Sequence, residues 1–292
     1  MKIRFILNPV SGNRAADTEH FARCIQLNFP GADMRLTKAA GHATELAREA
    51  AAENFDVAVA IGGDGTINET ARGLVGTKTA LAVVPRGSGN GLARELGMPL
   101  NFEEAVMRLQ RGSIAPCDIG RANGELFLNV AGVGLEAEIA WQFMEHGKTG
   151  ARGKWPYFKL GAQTVFSYKP PVFDADMDGK KTQLSPLTLV FANGRQYGSN
   201  FKIAPRANLG DGLLDMVAVN NVAKWKLVLA LPGFFTDGWQ PLNVTNTTQV
   251  KHVVLTHDGK FPYHIDGEPR QANGKLEIAI EHHALNVLFP ER

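Results

Sequence analysis

The sequence Gly62-Gly63-Asp64-Gly65-Thr66 follows the apolar run Asp56–Ile61 and leads into a segment with helical spacing. A second stretch, Pro85-Arg86-Gly87-Ser88-Gly89-Asn90, follows the apolar run Leu81–Val84 in the same way. A strand that ends in a glycine loop and opens into a helix presents backbone N–H groups and a helix dipole to phosphate. Two such loops at the carboxyl ends of nearby parallel strands predict one shared phosphate site.

The residue types in these loops suit an anion site. Glycine lets the backbone approach a phosphate without a Cβ in the way. Thr66, Ser88 and Asn90 can donate to phosphate oxygens or cap the helices that follow. The charge of Asp64 would repel a phosphate, so this residue indicates a metal, a hydroxyl or a base as its partner. Either loop alone could be a plain strand-to-helix turn, but the pair favours the phosphate site.

Bulk composition limits the class of protein. The chain has 292 residues, of which 44% are hydrophobic and 21% charged, as in soluble globular proteins. The net charge of +2 gives no indication of a nucleic-acid partner. Two distant cysteines, Cys24 and Cys117, are typical of reduced thiols in a cytoplasmic protein. No apolar stretch reaches the ~18 residues of a membrane span, so any membrane contact is expected to be peripheral.

Two segments could make that contact. Basic and aromatic residues are interleaved over residues 145–159, which favours either anionic lipid head groups or an ordinary solvated loop. The apolar residues of Trp225–Trp239 could hold acyl chains, although a core helix with a loop is the better explanation for most of them.

The two parts of the chain have different patterns. The first third alternates strands with helices, for example over Thr18–Asn28 and Asn101–Arg111, and this order predicts a parallel sheet covered by helices. After Gly112, short β-branched and aromatic segments between turn signals predict an antiparallel β-rich domain. Among these segments, Val250–Thr256 and Tyr263–Asp266 are predicted as separate strands.

Acidic residues beside glycine are candidates for chemistry in the second domain. Asp211 and Asp215 bracket a turn and suit a hard divalent cation, although an Asp-Gly turn explains them equally well. Asp266-Gly267 is a hairpin signal, and without other support the hairpin is the better interpretation. The pair His282-His283 lacks the spacing of a metal site, which favours surface positions on a strand.

Six motifs together resemble the diacylglycerol kinase catalytic domain family, which includes sphingosine kinases and soluble bacterial lipid kinases. The resemblance covers nearly the whole chain, and the order and spacing of the motifs match. They are Asn8-Pro9 with Ser11-Gly12, Gly62–Thr66, Pro85 with Gly87–Asn90, Asn129 with Gly134, Asp211-Gly212 with Asp215, and Asp266-Gly267-Glu268.

This resemblance implies a two-domain α/β fold. The N-terminal domain, residues 1–120, would be an α/β nucleotide-binding domain related to phosphofructokinase and NAD kinase. The C-terminal domain, residues 121–279, would be an antiparallel β-sandwich, and the final strand, about residues 280–292, would return to the first domain. ATP and Mg²⁺ would be the cofactors. The oligomeric state stays open, with a homodimer among the options.

The resemblance also assigns roles to single residues. Asp266 would deprotonate the acceptor hydroxyl, and Asp64 would hold the magnesium–phosphate group or join the acidic network beside the base. Asp211 and Asp215 would form a structural magnesium site. The nucleotide phosphates would lie near Asn8, Ser11, Arg14, Gly63, Gly65, Thr66, Ser88 and Asn90.

Three positions depart from the pattern of many bacterial members. Ser88 and Gly91 stand where Thr and Asp are frequent, and Glu136 stands where Asp is frequent. The leading hypothesis is an ATP-dependent lipid kinase that acts at the membrane surface on diacylglycerol or a related glycerolipid, with sphingoid bases second. One alternative is an NAD kinase-like enzyme, since Asn68-Glu69 also fits that family. The other is a catalytically weak, lipid-sensing regulatory protein.

Overall fold

The computed structural model describes residues 1–12, 17–148, 164, 167–198, 200–235 and 244–291. Arg14 and residues 149–159 of the basic aromatic segment lie outside them. The chain divides into two compact units. The first contains Met1–Ile119, Gly198–Asn200 and the residues from His282 onward, and the second contains Gly120–Tyr197 and Phe201–Glu281. Among the described helices, none combines the length and apolar character that crossing a bilayer requires.

The first unit alternates strands and helices, as the sequence predicts. Its strands are β1 (Ile3–Leu7), β2 (Asp33–Leu36), β3 (Val57–Gly62), β4 (Ala80–Pro85) and the start of β5 (Ser113–Ala122). Its helices are α1 (Thr18–Asn28), α2 (His42–Ala52), α3 (Asp64–Leu74), α4 (Gly91–Glu95) and α5 (Phe102–Leu109).

A parallel sheet forms the centre of this unit, in the order β2-β1-β3-β4 followed by the end of β14 (Glu268–Phe289). The registers pair Phe5 with Val59, Val59 with Ala82, and Leu81 with Val287. Every residue of β1, β3 and β4 is buried, which is the burial expected of parallel strands with both faces covered. Both glycine loops therefore begin at the carboxyl ends of adjacent strands, β3 and β4.

The second unit is an antiparallel β-sandwich. Its remaining strands are β6 (Glu125–Phe127), β7 (Val130–Gly134), β8 (Phe173–Met177), β9 (Lys180–Leu184), β10 (Thr188–Ala192), β11 (Leu214–Val219), β12 (Thr245–Val250) and β13 (His252–Ile265). Helix α6 spans Leu135–Lys148, and helix α7 spans Lys224–Ala230 before a 3₁₀ turn over Leu231–Phe235.

Strand β13 differs from the prediction of two separate strands. It runs through both predicted segments, pairs with β8 over Val253–Thr256 and with β7 over Tyr263–Ile265, and has a register irregularity between Thr256 and Lys260. Gly259 and Pro262 lie between the two predicted segments. In the structure the irregularity accommodates the change of register and the strand continues.

Candidate active site

Asp64 joins the two glycine loops of the first unit. One carboxylate oxygen accepts from the N–H of Asn90 at 2.9 Å, and the other accepts from the N–H of Gly91 at 2.7 Å. The acid thus receives two donors from the second loop and from the start of α4. Its charge is stabilised by backbone N–H groups in the way an N-terminal helix position favours.

The loops approach so closely that side chains are excluded. A Cβ on Gly87 would lie 2.7 Å from the Cα of Gly63, and a Cβ on Gly89 would lie 2.7 Å from a carboxylate oxygen of Asp64. Both distances are shorter than van der Waals contact. The glycines at these two positions are therefore required by the contact between the loops.

Polar side chains fix the shape of each loop. Asn90 closes the second loop on itself, since its Oδ1 accepts from the N–H of Gly87 and its Nδ2 donates to the carbonyl of Gly87, both at 2.8 Å. Asn8 donates from Nδ2 to the hydroxyl of Thr66 at 3.0 Å, and the Ser11 hydroxyl donates to the Asn8 carbonyl at 2.9 Å. Ser88 is exposed on the second loop.

A cavity of about 410 Å³ opens beside the first loop. This volume lies within the range of small-molecule sites. Predicted and unpredicted residues line it together: Asn8, Gly63, Gly65 and Thr66 were predicted, and Thr37 and Lys38 were not. Thr37 and Lys38 have no local sequence signal, because they follow the short and partly exposed strand β2 and reach the site only through the order of the sheet.

The N-terminus of α3, the positive end of the helix dipole, lies at this cavity. Its N-cap is Gly63, which has no side chain to accept from the first-turn N–H groups. Unpaired N–H groups at a helix start and the helix dipole together attract anions. The exposed Lys38 adds a positive charge to the lining. This part of the first unit can hold the phosphates of a nucleotide.

Asp266 lies in the second unit, in the two-residue turn between β13 and β14. Its φ of 47° and the φ of 85° at Gly267 confirm the hairpin. The carboxylate accepts from three backbone N–H groups, those of Leu128 at 2.8 Å and of Asn129 and Val130 at 2.9 Å. These donors fix its orientation and stabilise its negative charge.

Glu136 belongs to a network that the sequence did not reveal. Its Oε2 accepts from the hydroxyl of Tyr197 at 2.6 Å, and its Oε1 lies 3.1 Å from Nε2 of the buried His264. The other ring nitrogen of His264 accepts from the N–H of Gly267 at 3.4 Å. Burial, and then the charge of Glu136, raise the pKa of Tyr197 well above its usual value. Both carboxylate oxygens of Glu136 thus have partners within the second unit.

Asp211 and Asp215 also lie in the second unit. Asp215 is buried on β11, and Asp211 accepts from the N–H of Leu213 at 3.0 Å. Burial raises the pKa of Asp215 and the charge of Asp211 raises it further, while Arg206 lowers it. Two carboxylates that interact in this way fit a hard cation with oxygen ligands.

His282 and His283 occupy exposed positions on β14, as predicted, but they have a partner that the sequence did not indicate. A single carboxylate oxygen of the buried Asp118 accepts from Nδ1 of His282 at 2.8 Å and from the N–H of His283 at 2.7 Å. His283 has a φ of 54°. Asp118 therefore stabilises a local irregularity of β14 in the first unit.

Comparison with known proteins identifies relatives along the whole chain. Residues 2–122 match the diacylglycerol kinase catalytic domain, and residues 129–289 match the YegS C-terminal NAD kinase beta sandwich-like domain. A diacylglycerol kinase of Bacillus subtilis (strain 168) is 33% identical over 278 residues, which cover 91% of this chain and 89% of the relative. A protein of Pseudomonas putida that carries the name "Probable lipid kinase YegS-like" is 31% identical over 88% of this chain and 85% of the relative.

A solved structure has the same fold. The crystal structure of a diacylglycerol kinase from Bacillus anthracis str. Sterne superposes with a TM-score of 0.74 at 21% identity, over 99% of this chain and 96% of the other. This likeness confirms the predicted fold, an α/β domain followed by a β-sandwich.

The fold and these relatives define a phosphotransferase that has an alcohol as its acceptor. Within that class, the chain belongs to the diacylglycerol kinase catalytic domain family and is a lipid kinase.

Proposed function

We propose that this lipid kinase transfers the γ-phosphate of ATP to the hydroxyl of diacylglycerol or a related glycerolipid at a membrane surface, with sphingoid bases as second choice. The observation that carries the ATP part is the pair of hydrogen bonds from the N–H groups of Asn90 and Gly91 to the Asp64 carboxylate, because they join the two glycine loops. Glycerolipids come first because the relatives include a protein named diacylglycerol kinase.

The nucleotide would use the first unit. Its phosphates would lie against the first-turn N–H groups of α3, with Asn8, Gly65 and Thr66 along the cavity wall. Ser11 supports Asn8, and Ser88 presents an exposed hydroxyl on the second loop. Phosphoryl transfer depends on positioning and charge neutralisation rather than on covalent chemistry, so a preformed cradle is the main requirement.

Magnesium would have two roles. When bound with the nucleotide, it would neutralise charge on the phosphates. Asp211 and Asp215 fit a second, structural ion, because a cation would offset the burial and the neighbouring Asp211 charge that raise the pKa of Asp215. Backbone carbonyls or waters would complete the oxygen ligands, as hard cations accept both.

Asp266 would act as the general base. The lone pair of the lipid hydroxyl oxygen attacks the γ-phosphorus, the bond to the bridging oxygen breaks, ADP leaves, and the hydroxyl proton passes to the Asp266 carboxylate. The three N–H donors keep that carboxylate in one orientation. A fixed orientation helps because a general base must lie within hydrogen-bond reach of the proton that it takes.

Phosphate transfer from labelled ATP to mixed-micelle lipids tests this proposal. Diacylglycerol, a sphingoid base and NAD are offered separately with Mg²⁺, and the wild type is compared with Asp64→Asn, which loses one of two N–H acceptors. We expect label in diacylglycerol and strongly reduced transfer by the variant. Transfer to NAD alone, or equal transfer by both proteins, would refute it.

A further inference from the structure

Helix α7 and the 3₁₀ turn that follows it carry large apolar side chains on both the inner and the outer face. Toward the interior, Ala230 is fully buried, Phe234 is 7% exposed, and both belong to a core cluster with residues of β10 and β11. Leu227 packs against the same cluster. The inner face of this segment therefore has its partner within the second unit.

The outer face carries large apolar side chains, which are unfavourable in contact with water. Trp225 is 58% exposed and Leu229 is 56% exposed, and a spacing of four residues places them on one face of the helix. Phe235, in the 3₁₀ turn, is 52% exposed and contacts the ring of Phe201 edge-on at 5.4 Å. A surface helix normally has a polar outer face, so three large apolar side chains there indicate a contact with another apolar phase.

The charged residues within this segment indicate which phase that is. From residue 216 to residue 235 the sequence has two lysines, Lys224 and Lys226, and no acidic residue, and this stretch is flanked by Asp215 and Asp237. The ammonium of Lys226 lies 5.7 Å from the ring centroid of Trp225. Tryptophan beside lysine is typical of segments that lie in the head-group region of a bilayer. Anionic head groups attract such lysines.

We propose that Trp225, Leu229 and Phe235 form a docking surface that inserts into an anionic bilayer and brings the enzyme to its membrane-borne substrate. This inference rests on the proposed lipid substrate. A second copy of the chain fits less well, because a stable protein interface takes roughly 20–30 residues a side. The three exposed apolar side chains in the described part of this segment are fewer than that, but they suffice for shallow, reversible insertion.

The test separates docking from catalysis. Wild type and the double variant Trp225→Ser/Leu229→Ser are compared in sedimentation with phosphatidylglycerol and with phosphatidylcholine vesicles, and in activity on two substrates. One substrate is long-chain diacylglycerol in the vesicles, and the other is a short-chain diacylglycerol in free solution. The matched control, Leu100→Ser/Met107→Ser, removes two apolar side chains of the first unit that are 49% and 51% exposed.

We expect the wild type to sediment with phosphatidylglycerol vesicles, and less so as salt is raised. The double variant should bind at least about tenfold more weakly, since two half-exposed apolar side chains lose their burial. Its activity should fall on vesicles and stay at the wild-type level on the short-chain lipid. The control variant should match the wild type in both assays.

Equal vesicle binding by wild type and double variant would overturn the docking surface, and so would a wild-type dimer that the double variant dissociates. Absence of activity on the short-chain lipid in every protein would instead count against the proposed substrate. A measurement on the wild type alone completes the test. Hydrogen exchange of residues 224–235 should slow on adding phosphatidylglycerol vesicles, and unchanged exchange would contradict docking.

Discussion

At the scale of single residues, Asp64 has the clearest physical role in the first unit. Its carboxylate accepts from N–H groups of Asn90 and Gly91, 26 and 27 positions further along the chain. The sequence identifies Asp64 as an acid that needs a partner. It could not identify the partner as backbone N–H groups, because that contact depends on how two loops meet in space.

Asp266 gives a prediction about catalysis. Asp266→Asn should lower turnover by about two to four orders of magnitude, the usual contribution of a general base. ATP affinity should stay close to the wild-type value, which nucleotide titration checks. Glu268→Gln is the matched control, since this neighbouring acid is exposed and paired with Arg270 at 3.1 Å. Full turnover in Asp266→Asn would remove Asp266 from this role.

Asp215 gives a prediction about stability. Since its pKa is raised in the folded state, the folded protein binds this proton more tightly than the unfolded chain does. The stabilising contribution is therefore present at low pH and lost as the pH rises through the raised value. At neutral pH without metal, Asp215→Asn should melt at the same temperature as wild type or higher.

The same melting experiment is then repeated with magnesium. It should raise the melting temperature of the wild type, because a ligand that binds only the folded state stabilises it. The increase should disappear in Asp215→Asn, as scanning calorimetry would show. An equal increase in both proteins would place the ion elsewhere.

At the scale of elements, the contact between the glycine loops leads to a further prediction. Gly87→Ala places a Cβ 2.7 Å from the Cα of Gly63, which is backbone and cannot rotate away. The loops must separate, so ATP binding and turnover should both fall by at least about tenfold, equivalent to ~1.4 kcal/mol. Gly76→Asn is the control, since Gly76 has a φ of 74° and open space around it. Unchanged ATP binding in Gly87→Ala would contradict the paired-loop site.

The elements also show where sequence patterns suffice. Strands β3 and β4 with their loops are predicted correctly, because each combines an apolar run with glycine punctuation within a few residues. Strands β9 (Lys180–Leu184) and β12 (Thr245–Val250) carry mostly polar, exposed residues and give no apolar alternation. Strand β13 contains turn-forming residues, so its continuity follows only from its pairing with β7, β8 and β14.

The Glu136 network could not be predicted from the sequence, for a related reason. Glu136 and His264 are 128 positions apart, and Glu136 and Tyr197 are 61 apart. Each residue alone has an ordinary explanation, a helix start for the acid and a strand position for the histidine. Only the pairing of β13 with β7, which sets His264 opposite Gly132, brings the histidine and the acid together.

At the scale of the whole molecule, each unit carries part of the proposed chemistry. The first has the cavity, the helix start and the paired loops, and the second has Asp266, the two metal candidates and the proposed docking surface. The two family domains match these parts of the chain in the same order. A kinase for a membrane lipid needs all of these functions, and the chain has a candidate for each.

The most direct test of the central claim is a competition assay. The wild-type protein is given ATP, Mg²⁺ and equal amounts of three acceptors. Diacylglycerol and a sphingoid base are supplied in mixed micelles and NAD in the surrounding solution, and the products are identified by mass spectrometry. We predict phosphorylated diacylglycerol as the main product, with ADP formed in equal amount. Phosphorylated NAD as the main product, or ADP without any phosphorylated lipid, would contradict the assignment.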